Sequence, residues 1–433
     1  LRGYRPHPAA APHPVATYAA AVEHIDELTP GSVVDVATVR MVAGGESLGR
    51  FEDGRVVLVE GALPSERVVA EVTEVRPRMV RARTVDVVDA APQRVEPPCP
   101  ELPRGCGGCD LQYAAPADQP ALKAGVVLDA LRRLARLEDV PVEPGRPLPA
   151  AAYRTTVRAA VSSGSAGFRA RRSADVVAVG SCGVAHPLVE ELLVDGVFDD
   201  ASEVVIRVGA RTGERMVVAH PTAAGVVVPA DVRVVGTDEL ARGRRAWIHE
   251  ELHGQRLRVS AQSFWQARPD GAEALVDAVR RALGDPGPDA ALVDLYGGVG
   301  LFSRLLGTRA PVLVERSASA VADARVNLEG LDAMTLKLAV RRWRPTPADV
   351  VVADPARAGL GPDGVAAVAG TGAPRVALVS CDPASLARDV ASLGELGYRA
   401  VGVELVDLFP QTHHLEAVTT LELLQPERRR ESA

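Results

Sequence analysis

The chain is 433 residues long, 47% apolar, and carries a formal net charge of −7. That length predicts two or three domains with cores large enough to need no disulfide staples. The acidic balance excludes a wholesale polybasic coat, though not a local basic face, few aromatics leave little for extended base-stacking platforms, and no apolar run reaches the ~18 residues of a membrane span.

Five cysteines, three of them in one Gly-rich turn, do not form a secreted disulfide framework, so a reducing cytoplasm is the expected location. The chain opens on Leu1, and residues 1–29, rich in Ala, Pro and His, are set aside as a tail expected to be disordered. From Gly31 to Val88 the short Val-rich runs Ser32–Val36, Gly54–Val59 and Arg67–Val72, parted by Gly, Pro and Asp turns, predict a small closed barrel. Gly44, Gly45 and Gly49 are placed together in one connection. Arg76, Arg78, Arg81 and Arg83 recur along one segment and would share a strand face, offering either RNA contact or a solvated edge. This part resembles a TRAM domain.

Next comes Pro98–Gln112, whose glycines and prolines let the backbone aim Cys99, Cys106 and Cys109 at one point. Two thiolates in C-x-x-C suit zinc or an iron–sulfur cluster equally. Cys182 is the candidate fourth ligand, with His186 as a weaker rival. Between these segments Leu122, Val126, Val127, Leu131 and Leu134 repeat at helical spacing, and Pro141 and Pro144 are expected to end that helix. Arg154, Arg158, Arg169, Arg171 and Arg172 then fall in two neighbouring segments, a candidate phosphate-contacting patch. Residues 203–260 read as β.

A helix is predicted from Asp270 to Leu283, and strand and helix alternate beyond it, the pattern of a doubly wound sheet. The apolar strand Ala291–Tyr296 turns through Gly297, Gly298, Val299 and Gly300 into a helix; Gly298 and Gly300 let the backbone approach a ligand closely. A second strand ends in Glu315, an acid able to accept both hydroxyls of a ribose. A nucleoside-bearing cofactor follows; S-adenosylmethionine is preferred over a dinucleotide because Phe302 and Ser303 stand where the third glycine of G-x-G-x-x-G would be. Val350–Ala353 runs into Asp354-Pro355-Ala356-Arg357, and Arg375–Ser380 into Cys381-Asp382-Pro383, each at the carboxyl end of a strand. His414-Leu415-Glu416 precedes a last strand, where desolvation would raise the Glu416 pKa and suit it to proton transfer.

With Ser263-Phe264-Trp265-Gln266, these motifs resemble the RNA (uracil-5-)-methyltransferase family, in its iron–sulfur branch, from the barrel nearly to the end of the chain. The resemblance implies a multidomain protein: a TRAM or OB-like barrel at 30–88, a central β-rich cluster-binding domain at 89–110 and 145–260, and an α/β doubly wound, Rossmann-like methyltransferase domain at 111–144 and 261–425. Residues 426–433 would form a charged tail. It implies that Cys381 adds to C6 of a uridine, that Glu416 removes the C5 proton, and that Gln266, Tyr296, Glu315 and Asp354 hold S-adenosylmethionine. It further implies a [4Fe-4S] cluster on Cys99, Cys106, Cys109 and Cys182, a structured RNA partner (tRNA or rRNA), no membrane association and a monomeric state. The family usually has Asn, Pro and Cys where this chain has Asp382, Ala356 and Gly297. The acid or amide that meets the adenine in the family has no placed counterpart between Asn327 and Asp354, where the chain has Leu338–Trp343. A carboxylate at Asp382 is expected to raise the thiol pKa of Cys381. A cluster-bearing RNA-binding protein with weak or lost catalysis is therefore the alternative, and a radical enzyme using cluster and S-adenosylmethionine together is a third.

Overall fold

A computed structural model describes residues 28–424, so both expected tails lie outside the described residues apart from residues 28 and 29. The chain divides into two compact units, one ending at Arg94 and the other beginning at Val95.

In the first unit β1 (Val33–Met41), β2 (Ser47–Arg50), β3 (Val56–Glu60), β4 (Arg67–Arg76) and β5 (Met79–Asp89) close into a barrel in the order β1-β2-β3-β5-β4. Alternate residues such as Val34, Val36, Val57, Val59, Val68 and Ala70 fill it. Gly49 lies inside β2 rather than in a connection, because a Cβ there would come within 2.6 Å of the Val36 side chain. The arginines do not form one face: Arg76 ends β4, Arg78 sits in the hairpin turn, and only Arg81 and Arg83 share β5. Three of them are already paired, Arg76 with Glu74 (2.6 Å), Arg83 with Glu71 (2.9 Å) and Arg81 with Glu46.

The second unit opens with the cysteine turn and α1 (Gln119–Ala130). Its helical path widens into a π turn over Leu131–Ala135 and stops where Arg136 takes a left-handed φ of 58°, five residues before Pro141. Pro144 breaks nothing; it closes the short strand β6 (Val142–Pro144). A six-stranded sheet follows, built from β7 (Thr156–Ser162), β8 (Ser165–Arg169), β9 (Val176–Ala178), β11 (Ala201–Val208), β12 (Arg215–Pro221) and β14 (Arg233–Gly236). Helix α2 (Pro187–Asp195) packs on one face, against Val157, Val204, Ile206 and Val217. The two-residue strands β10 (Val197–Phe198) and β13 (Val226–Val227) pair separately, α3 (Thr237–Ala241) follows β14, and β15 (Trp247–Leu252) with β16 (Gln255–Ser260) make a hairpin.

The remainder is an eight-stranded sheet with helices on both faces. Its elements are α4 (Pro269–Leu283), β17 (Leu292–Leu295), α5 (Leu301–Leu305), β18 (Val312–Glu315), α6 (Ala318–Asn327), β19 (Met334–Lys337), β20 (Val350–Ala353), α7 (Gly361–Gly370), β21 (Arg375–Ser380), α8 (Pro383–Glu395), β22 (Tyr398–Val406) and β23 (Glu416–Leu423). The order is β19-β18-β17-β20-β21-β23-β22-β6. Unbroken apolar strands belong in such a sheet because both faces are covered. Along β20, Val351 and Ala353 face the core formed with α1, α7 and α8, while Val350 and Val352 face the core formed with α4 and α5. No helix among the described residues is long and apolar enough to cross a membrane.

Candidate active site

Strands β17, β18, β20 and β21 run parallel, so their carboxyl ends, with Tyr296, Glu315, Asp354 and Cys381, reach one edge of the sheet. Strand β23 runs the other way, which brings its first residue to that same edge. The pairing of Ser380 with Ala417 sets Cys381 beside Glu416. The turn after β17 uses positive φ at Tyr296 (61°), Gly298 (54°) and Gly300 (87°). A side chain at Gly297 would come within 2.6 Å of Leu313, so this chain admits only glycine there.

Glu315 ties the glycine turn to β18: Gly298 N–H donates to Oε2 at 3.2 Å and Ser317 N–H to Oε1 at 2.6 Å. Leu338 N–H donates to the Glu315 carbonyl at 2.9 Å, placing 338–343 against that strand end. Below the turn Asp294 is fully buried. Its Oδ2 accepts from Ser303 N–H (3.0 Å) and Oγ–H (2.6 Å), while Oδ1 has no partner. Burial pushes this carboxyl up to about 7, Ser303 opposing and Glu315 adding to the rise. Its motif was legible in the sequence, but its burial beneath the glycine turn was missed. The signal was an aspartate inside an otherwise apolar strand. Gln266 is buried on the segment after β16, which Ser263 pins to α6 through a 2.6 Å bond to Asp323 Oδ2; Phe264 beside it is 70% exposed. The Tyr296 hydroxyl points toward α7, where a Cβ on Gly364 would approach it to 2.7 Å.

Burial raises the Cys381 thiol to about 11, and the Glu416 and Asp354 carboxylates add to the rise, with the Arg357 guanidinium opposing. Asp354 and Glu416 are both raised, by burial first; Asp294 contributes to the former and Asp354 to the latter. Asp382 does not act as its position suggested. It caps α8, its Oδ1 accepting from Ser385 N–H at 2.8 Å, and the carboxylates bearing on the thiol are Glu416 and Asp354 instead. The cation of the site is Arg357, whose Nη2 stands 3.0 Å from His414 Nδ1. Burial, then His413 and Arg357, pull His414 down to about 4, so the neutral ring accepts from the guanidinium. Neither residue was assigned a role from sequence, because 57 positions separate them.

Away from this edge Cys99, Cys106, Cys109 and Cys182 line one cavity of about 280 Å³, together with Phe168, Arg154 and Gln411. Gly107 allows the turn to lie on β8: its N–H donates to Arg169 O at 3.1 Å, and a Cβ would reach that oxygen at 2.6 Å. Burial raises Cys106, Cys182 and, to about 11, Cys109. His186, the weaker rival, is not among the residues lining this cavity; its Nδ1 accepts from Leu188 N–H at 3.3 Å and caps α2. Among the described residues no group of three or more His, Cys, Asp or Glu side chains converges tightly enough to hold a metal ion. Of the arginine patch, Arg158 pairs with Glu203, Arg169 donates to Ala174 O at 3.2 Å, and Arg154 lies over the Phe409 ring.

Comparison with known proteins gives a family model for the TRAM domain matching residues 27–85 and one for tRNA (Uracil-5-)-methyltransferase matching residues 344–423. An uncharacterized RNA methyltransferase of Streptomyces avermitilis is 38% identical over 429 residues, covering 90% of this chain and 98% of its own. One from Streptomyces coelicolor is 36% identical over 428 residues, covering 90% and 93%. Among solved structures, the tRNA (uracil-54, C5)-methyltransferase of Pyrococcus abyssi in complex with S-adenosyl-L-homocysteine aligns with a TM-score of 0.68 at 23% identity, covering 90% of this chain and all of that one, and so shares the fold.

Proposed function

Because the chain belongs to the family of RNA methyltransferases, of the uracil-5 type and dependent on S-adenosylmethionine, we propose that it methylates C5 of a uridine in tRNA or rRNA through a covalent bond between Cys381 and C6. The observation that carries this is the register of β21 and β23, which sets a thiol and a carboxyl side by side where the parallel strands end. S-adenosylmethionine supplies an electrophilic methyl group. Gly298, Gly300, Glu315 and Asp354 would hold it at the turn, with Gln266 and Tyr296 as further contacts, and the unpartnered Asp294 Oδ1 provides an acceptor beneath them.

Uracil C5 is a poor nucleophile until C6 is saturated. The Cys381 thiolate forms a bond to C6, and the electron pair moves through C5 into the C4 carbonyl. C5 then bonds to the methyl carbon, whose bond to sulfur breaks. Glu416 takes the proton from C5, the C5–C6 double bond returns, and the thiolate leaves. Arg357 favours the thiolate at both ends of the cycle. The uridine must leave its stack to reach this edge.

The four cysteine thiols around one cavity support the [4Fe-4S] cluster. The carbon chemistry needs no electron, so the cluster's part would be structural or in shaping the RNA surface. Within the second unit we keep 89–110 with 145–260 as the cluster-binding part and 111–144 with 261–425 as the catalytic part; a monomer in the cytoplasm completes the proposal. With Asp382 turned to cap α8, the structural case for a purely RNA-binding protein loses its main support.

The test is incubation with methyl-labelled S-adenosylmethionine and unmodified tRNA or rRNA. Label is expected at uridine C5 with the parent protein and none with Cys381→Ala; transfer that persists in Cys381→Ala overturns the covalent route.

A further inference from the structure

Glu416 enters β23 from the loop 407–415, and nearly every grip on that loop comes from residues some 250 to 300 positions earlier. Lys123 Nζ bonds Asp407 Oδ1 (2.6 Å) and Phe409 O (3.0 Å), and the Tyr153 hydroxyl donates to Pro410 O at 2.9 Å. Two residues stand out because they touch the cysteine turn itself. Gln411 lines the cysteine cavity, and its carbonyl accepts the N–H groups of Asp110 (3.1 Å) and Leu111 (3.0 Å), the two residues after Cys109. Its own N–H and side chain are paired with Gln119 at 2.6 and 3.1 Å. Gln411 is held at φ 68°, a backbone conformation that L residues rarely adopt and that surrounding bonds must maintain. His413 N–H donates to Asp110 Oδ1 at 2.7 Å, and its ring Nδ1 bonds Asp110 Oδ2.

We propose that Gln411 and His413 are positioning residues that fasten the loop ending in Glu416 to the segment following Cys109, so that the cysteine cavity fixes where the Glu416 carboxyl stands at uridine C5. This rests on the methyl-transfer function above. A general base must come within about 3 Å of the proton it removes, and a loop free to drift by ~1 Å loses most of that advantage. Cys381 lies on a different element, after β21, and keeps its capacity to add to C6. Loosening the loop therefore leaves bond formation and methyl transfer in place and slows proton removal. The protein is then caught as a methylated covalent adduct with its RNA. A merely structural role would lower adduct and turnover together.

His413→Ala, purified with its iron, is the variant to measure, with Glu416→Gln as reference, labelled S-adenosylmethionine, and adduct resolved on denaturing gels. Turnover is expected to fall about tenfold, with a several-fold larger steady-state adduct fraction and iron per chain unchanged. His413→Asn, whose amide N–H can replace Nδ1–H toward Asp110, should recover most of the turnover. The inference is overturned if His413→Ala turns over like the parent, or if its adduct falls in step with turnover. If Glu416→Gln itself accumulates no adduct, the covalent route fails and the inference falls with it.

Discussion

Cys109 and Cys381 are both partly buried thiols pushed to about 11, yet their neighbours suit them to the different work proposed for each. Cys109 shares its cavity with three further thiols and Arg154. Such a set ionises together only when something positively charged sits among it, which suits metal ligation. Cys381 has no fellow thiol. It has two carboxylates that oppose ionisation and one guanidinium that favours it, so a thiolate there leans on Arg357 both when it adds and when it leaves. Burial by itself does not decide between a ligand and a nucleophile; the charges facing the sulfur do.

Exchanging the two thiols one at a time tests that contrast most strongly. Cys381→Ala is expected to lower methyl transfer by more than about 10³-fold and to abolish the covalent adduct, with iron content untouched. Cys109→Ala should do the reverse: iron and its visible absorption are lost, adduct still forms, and turnover falls by only about tenfold as the loop at Gln411 and His413 loosens. Equal losses in both variants would erase the distinction between the sites.

The two sites also differ in how far the sequence exposed them. The cysteines were legible because Cys99, Cys106 and Cys109 lie within one turn, and Cys381 and Glu416 because each sits at a strand boundary that apolar runs mark clearly. Contacts between distant segments were not legible. Asp110 meets His413 across 303 positions and Arg357 meets His414 across 57, and nothing local in either segment announces its partner. The helix after the cysteine turn was found but its end was misplaced, since Arg136 stops it by taking a left-handed conformation that prolines downstream do not reveal. Asp382 was misjudged for a related reason: adjacency in sequence to Cys381 says nothing about direction, and its side chain turns away to the amide of Ser385.

A second test sharpens the contrast through pH. A thiol raised to about 11 is protonated at neutrality, and its thiolate fraction grows roughly tenfold per pH unit until that value is approached. Adduct formation is expected to rise with pH between about 7 and 9. Arg357→Ala removes a group that lowers the thiol pKa, so the rate should fall about tenfold throughout pH 7 to 9, and by less only as the pH approaches 11. His414 bonds the same guanidinium but is held neutral down to about 4, so it adds no inflection in this range. A Cys381 thiol pKa, measured without RNA, that stays in place in Arg357→Ala would assign Arg357 to RNA contact instead.

The smallest effect concerns Asp382, where charge and capping make opposite predictions. If its carboxylate burdened the thiol, Asp382→Asn would lower the Cys381 pKa and shift the pH–rate profile of adduct formation to lower pH. The 2.8 Å bond to Ser385 N–H instead makes it a helix cap, and Asn caps as well as Asp. Asp382→Asn should therefore leave the profile in place and change stability by a few tenths of a kcal/mol, whereas Asp382→Ala should cost about 1 kcal/mol in denaturant unfolding. A profile displaced by half a pH unit or more in Asp382→Asn would return this carboxylate to the list of charges that tune Cys381 and weaken the division between helix cap and active site.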